Sequence, residues 1–139
     1  MVKVFLDASV IIAGVNSTTG ASNFILKLSK DRKIRSFVSE MVLAEVVRNL
    51  KKKMPESILI EFFKYLSESN FNKIEFEEES EVLKYQDATD DKDVHIIAAA
   101  FKARVDYLIT LDKKHLLNLK QKLPFKIVTP GQFLKQVSP

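Results

Sequence analysis

Two acids stand where a buried sheet keeps its chemistry. Asp7 closes the run Val2-Lys3-Val4-Phe5-Leu6, and Asp112 follows Tyr107-Leu108-Ile109-Thr110 with only Leu111 between. Both runs are apolar enough to read as strands covered on both faces, the habit of parallel sheets with helices on each side. Ligands and catalytic groups of such sheets lie beyond the carboxyl ends of the strands. Carboxylates at the ends of two buried strands therefore suggest a metal site.

Two further acids interrupt apolar helical patterns. Glu45 breaks Met41-Val42-Leu43-Ala44-Glu45-Val46-Val47, where it either lies on the solvent edge of a broadly buried helix or serves a site. In Asp93-Val94-His95-Ile96-Ile97-Ala98-Ala99-Ala100, helical spacing puts residues 93, 96, 97 and 100 on one face. Asp93 then tops the buried stripe in the first turn, where the helix dipole favours negative charge. Its plain role is a helix cap, yet Asp90 or Asp91 would cap equally well. Should Asp7, Glu45, Asp93 and Asp112 converge, each close pair repels by about 4 kcal/mol at ~4 Å and an intermediate dielectric. Either some are protonated or a divalent cation neutralises them. An all-oxygen set suits Mg²⁺ or Mn²⁺. On a basic chain that chemistry points to phosphoryl hydrolysis.

The elements needed to position these acids are legible. The chain has 139 residues, 46% hydrophobic and 29% charged, which fits a single domain over 1–139 with a real core. The net charge of +4 mildly favours a polyanionic partner. The absence of cysteine excludes thiolate metal sites, thiol nucleophiles and disulfides. No stretch approaches a membrane span and the N-terminus lacks a secretory pattern, so a cytoplasmic location is expected. After the first strand comes a polar loop at 16–20. A helix then carries Phe24, Ile25 and Leu28 inward, and a second strand spans 34–38. Ser39 caps a helix running to about Lys53. Pro55 opens another with Leu59, Phe62, Phe63 and Leu66 inward. A short strand at 73–76, a brief helix after the acidic 77–81, a helix over 93–104 and strands at 107–110 and 126–128 follow. Thr129 and Pro130 start a last helix. This alternation predicts an α/β fold, a three-layer α/β/α sandwich around a parallel sheet of four or five strands.

The blocks Val4-Phe5-Leu6-Asp7-Ala8-Ser9-Val10-Ile11-Ile12, Glu45 in its apolar helix, Asp93 to Ala100, and Tyr107 to His115 together resemble the PIN domain family. The closing Ile127-Val128-Thr129-Pro130-Gly131-Gln132-Phe133-Leu134 is similar to the end of many such domains. The resemblance implies a small α/β/α nuclease that cleaves single-stranded RNA with Mg²⁺ or Mn²⁺, in many members as the toxin of a toxin–antitoxin pair. It assigns Asp7, Glu45, Asp93 and Asp112 as catalytic and metal-binding. Asp7 and Asp93 would hold one ion, with Glu45 and Asp112 reaching it directly or through water. Ser9 and Thr110 would hydrogen-bond a ligand carboxylate or water. Water rather than a ribose hydroxyl would attack, leaving 5′-phosphate and 3′-hydroxyl ends. The resemblance also implies an antitoxin partner and a homodimer. Other functions compatible with it are ribosomal RNA processing or RNA quality control, and a non-catalytic RNA-binding scaffold.

Weaker candidates stand beside these. His95 and His115 are the only histidines and read as surface residues rather than an acid–base pair. Lys113 and Lys114, beside Asp112, are placed to contact RNA phosphates, as are Lys120 and Lys122. Arg48 with Lys51, Lys52 and Lys53 reads first as a solvated helix end that complements the dipole. The phenylalanines read as core rather than as a stacking platform. With glycine only at 14, 20 and 131, neither a Walker loop nor a dinucleotide fingerprint is present.

Overall fold

A computed structural model describes residues 1–87, 89, 93–112 and 123–137. Five parallel strands form one sheet in the order β3-β2-β1-β4-β5: β1 (Lys3–Leu6), β2 (Arg35–Ser39), β3 (Asn72–Ile74), β4 (Tyr107–Ile109) and β5 (Lys126–Val128). Val4, Phe5 and Leu6 are wholly buried in the central strand, as a sheet covered on both faces requires. Seven helices flank it among the described residues: α1 (Ala8–Asn16), α2 (Ala21–Lys30), α3 (Glu40–Lys53), α4 (Glu56–Glu68), α5 (Ser80–Leu83), α6 (Val94–Ala103) and α7 (Pro130–Gln136). None of them is long and apolar enough to cross a membrane.

The strand order decides where a site can form. The chain steps from β1 to β2 to β3, then returns past β1 to lay down β4 and β5. Right-handed crossovers put α1 to α4 on one face and α5 and α6 on the other, giving three layers. α7 packs against α2, β4 and β5 and so joins the first group. The progression reverses between β1 and β4, and there the loops leave the sheet in opposite directions and open a crevice. Alanines 98, 99 and 100, all buried, keep α6 close to the strands it covers.

Most of the local signals match the structure. Ser39 accepts a hydrogen bond from the Val42 amide as the cap of α3. Thr129 and Gln132 form a reciprocal capping box, with Pro130 in the first turn of α7. Some expectations shift. α1 starts directly after β1, with Asp7 as its cap, and nothing in the run of apolar residues separates the two elements. α4 begins at Glu56, with Pro55 one position before it. β3 ends at Ile74, two residues short of the expected strand. Phe24 and Phe63, expected inward, are 45% and 48% exposed. α4 is an outer helix resting mainly on α3, so only the narrow stripe through Phe62 is fully buried.

α1 and α2 pack through Gly14. A Cβ there would lie 2.5 Å from Leu26 Cδ1 and 3.0 Å from the Ser22 carbonyl oxygen, with Leu26 buried. Gly14→Ala is therefore expected to destabilise the protein by about 1–3 kcal/mol. Urea denaturation measures this, and an unchanged midpoint contradicts the close approach.

Candidate active site

Three elements bring the acids to the crevice between β1 and β4. Asp7 leaves β1 and caps α1, its Oδ1 accepting from the Ala8 amide at 2.8 Å. Its Oδ2 accepts from the Thr110 hydroxyl at 2.7 Å and the Ser9 hydroxyl at 3.1 Å. Each hydroxyl also accepts a backbone amide from the loop after β4. Ser9 Oγ takes Leu111 N–H at 3.1 Å, and Thr110 Oγ1 takes Asp112 N–H at 3.0 Å. Thr110 is wholly buried, and its own amide donates to the Val128 carbonyl at 3.0 Å, extending the β4–β5 ladder. Two hydroxyls thus tie the Asp7 carboxylate to the backbone that carries Asp112.

Glu45 projects from α3, half-buried, and Asp93 precedes α6. The Asp93 side chain makes no capping hydrogen bond, although its carbonyl accepts from Ile97 N–H at 3.0 Å. Burial pushes the Glu45 carboxyl above its ordinary range, and the charges of Asp7 and Asp93 push it further, against the opposing pull of Arg48. Three acids from three elements therefore share one electrostatic environment. Asp112 is exposed, one residue beyond the Thr110 anchor. His95 is the second residue of α6, where burial lowers its pKa and the Asp7 charge opposes that shift. Lys51, Lys52 and Lys53 sit ~10 Å further along α3 than Glu45, away from the crevice. Lys113, Lys114, His115, Lys120, Lys122, Asp90 and Asp91 fall outside the described residues.

Among the described residues, no three Asp, Glu or His side chains close around one point tightly enough to cage an ion. The donors that line the crevice are carboxylate and hydroxyl oxygens, the kind that hard divalent cations take. Oxygen donors on a rigid strand end, beside a carboxyl already resisting ionisation, have the chemistry such an ion requires.

A PIN domain family model matches residues 3–114. The chain belongs to the PIN domain family. Solved structures agree on the fold. VapBC2 from Rickettsia felis, bound to a DNA fragment from its promoter, is similar at a TM-score of 0.64 and 16% identity, over 91% of this chain and 98% of that one. DNA-bound VapBC from Salmonella typhimurium gives 0.64 and 16%, over 94% and 99%. PAE2754 from Pyrobaculum aerophilum gives 0.61 and 17%, over 97% and 88%. Comparison with curated protein sequences returns no match.

The Glu45 shift has a consequence for stability. Below its ordinary value of 4.5, the carboxyl is protonated both folded and unfolded and costs nothing. As pH rises past that value the unfolded chain releases the proton first, so the folded state loses stability until its own carboxyl ionises. Glu45→Gln should therefore raise the Tm of metal-free protein at pH 7 by about 1–3 °C, a small effect because the group is partly screened. The gain should vanish near pH 4. A Tm lowered by the substitution at pH 7 in EDTA contradicts the crowding of charge.

Proposed function

We propose that this PIN domain is a metal-dependent endoribonuclease that hydrolyses phosphodiester bonds of single-stranded RNA, acting as the toxin of a toxin–antitoxin pair. The observation that carries the reading is the shared field of Asp7, Glu45 and Asp93 at the point where the strand order reverses. Family membership supports nuclease chemistry with divalent ions in general. The fold's likeness to two VapBC complexes supports an antitoxin as partner. Ile60 and Phe63, 60% and 48% exposed on α4, offer apolar surface for such a partner or for a second copy.

Asp7, Glu45 and Asp93 would hold Mg²⁺ or Mn²⁺, with Asp112 completing the set from the loop after β4. When bound, such an ion would supply Lewis-acid polarisation of the phosphodiester and activation of water. The protein's own part is positional. Ser9 and Thr110 fix the Asp7 carboxylate in one orientation, so it need not reorganise when the ion and substrate arrive. Burial and the charges of Asp7 and Asp93 disfavour the ionised form of Glu45, and positive charge in the crevice would favour it. Lys113 and Lys114 are assigned to the substrate backbone from their place beside Asp112.

Wild-type protein with Mn²⁺ should cut a labelled single-stranded RNA panel and leave 5′-phosphate ends. Asp93→Asn should lower the rate by more than ~100-fold, and EDTA should abolish it. Equal cleavage by both proteins, indifference to chelation, or 2′,3′-cyclic phosphate ends would refute the reading.

A further inference from the structure

A cavity of ≈ 330 Å³ opens at the carboxyl ends of β2 and β3, beside the acidic crevice rather than over it. Ser39, Glu40 and Met41 line it from the start of α3, Ile74, Glu75 and Phe76 from beyond β3, and His95 from α6. It shares two walls with the acids. α3 carries Glu45 little more than one turn after Met41, and α6 carries His95 two residues after Asp93. The space is at the small end of ligand pockets, enough for one planar ring system.

The chemistry of the walls selects the occupant. Met41, Ile74 and Phe76 supply apolar faces, and Lys102 Nζ holds the Phe76 ring from 5.2 Å. Ser39, 3% exposed, spends an oxygen lone pair on Val42 N–H and keeps its proton to donate. The buried Nδ1 of His95 has no hydrogen-bond partner. Glu40 and Glu75 contribute carboxylates, both bridged by Lys73, at 3.0 and 3.6 Å. Among the described residues no Lys or Arg lines the cavity itself; Lys73 and Lys102 stand behind its carboxylates and its phenyl ring. The acceptor oxygens of such walls suit N–H groups, which is the requirement of a base edge rather than a sugar–phosphate backbone. Unstacked bases of single-stranded RNA are bound in this way, by aromatic faces and hydrogen bonds to their edges.

We propose that this cavity receives the nucleobase next to the scissile phosphodiester and prefers guanine. Guanine presents two adjacent N–H donors, at N1 and N2, that match the two oxygens of one carboxylate. Adenine and cytosine offer an amino group without that second donor, and uracil a single imide N–H. The proposal rests on the nuclease reading for the identity of the chain that delivers the base, but not for binding of the base itself.

Metal-free ¹⁵N-labelled protein titrated with the dinucleoside monophosphates GpU, IpU and UpU separates the two. GpU should shift the amides of Ser39, Glu75 and Phe76 saturably and bind about tenfold more tightly than UpU. IpU, lacking the 2-amino group, should fall toward UpU. Glu75→Gln, on an exposed side chain, should remove most of the guanine preference by bringing GpU affinity down to about that of UpU; Phe76→Ala should weaken GpU and UpU alike. Equal affinity for GpU and UpU, shifts confined to other regions, or guanine preference intact in Glu75→Gln overturns the pocket. Guanine preference in a protein that cuts no RNA with Mn²⁺ upholds the pocket and removes the nuclease reading. Cleavage with no preference among the three dinucleotides does the reverse.

Discussion

Among the described residues the Asp7 carboxylate is held by three neutral donors, and the site's electrostatics follow from that. The Ala8 amide, Ser9 and Thr110 hydroxyls fix its position and disperse its charge without cancelling it. Hydrogen bonds from neutral groups leave its charge in place, and Glu45 and His95 both register it. The arrangement keeps negative charge in place for a cation to meet.

The sheet makes this possible through register. Phe5 pairs with Leu108 and Leu6 with Ile109, so β1 and β4 end level and Asp7 faces Thr110 across the reversal of strand order. Asp7 N–H donates to the Ile109 carbonyl at 3.1 Å, carrying the ladder up to the site itself. A slip of one residue would turn every side chain to the other face and break both hydroxyl contacts. The wholly buried Leu6, Leu108 and Ile109 make that slip costly. Core burial thus sets the precision of the polar site, and α3 and α6 deliver Glu45 and Asp93 from opposite faces of the same sheet.

Much of this was readable from residue order. Strand–helix alternation, the caps at Ser39 and Thr129, and acids closing apolar runs are local signals, and each corresponds to an observed element. Features that depend on distant pairing were harder to read. The bond from Thr110 to Asp7 spans 103 residues and exists only once β1 and β4 are aligned. α1 was hidden because its apolar residues continue those of β1; only Asp7, an acid at a capping position, marks the boundary. Phe24 and Phe63 follow helical spacing, yet spacing does not reveal how wide a stripe the neighbouring layer covers. The cavity beside His95 joins residues from three separate segments and left no local trace.

On the proposed reading Asp7, Glu45 and Asp93 bind one divalent cation. Anomalous scattering from crystals soaked in Mn²⁺ tests it most directly. A single strong peak within coordinating reach of the Asp7 and Asp93 carboxylates, with Glu45 bound directly or through water, is the expected result. A peak elsewhere on the surface, or none at millimolar Mn²⁺ with the three side chains well ordered, would contradict it.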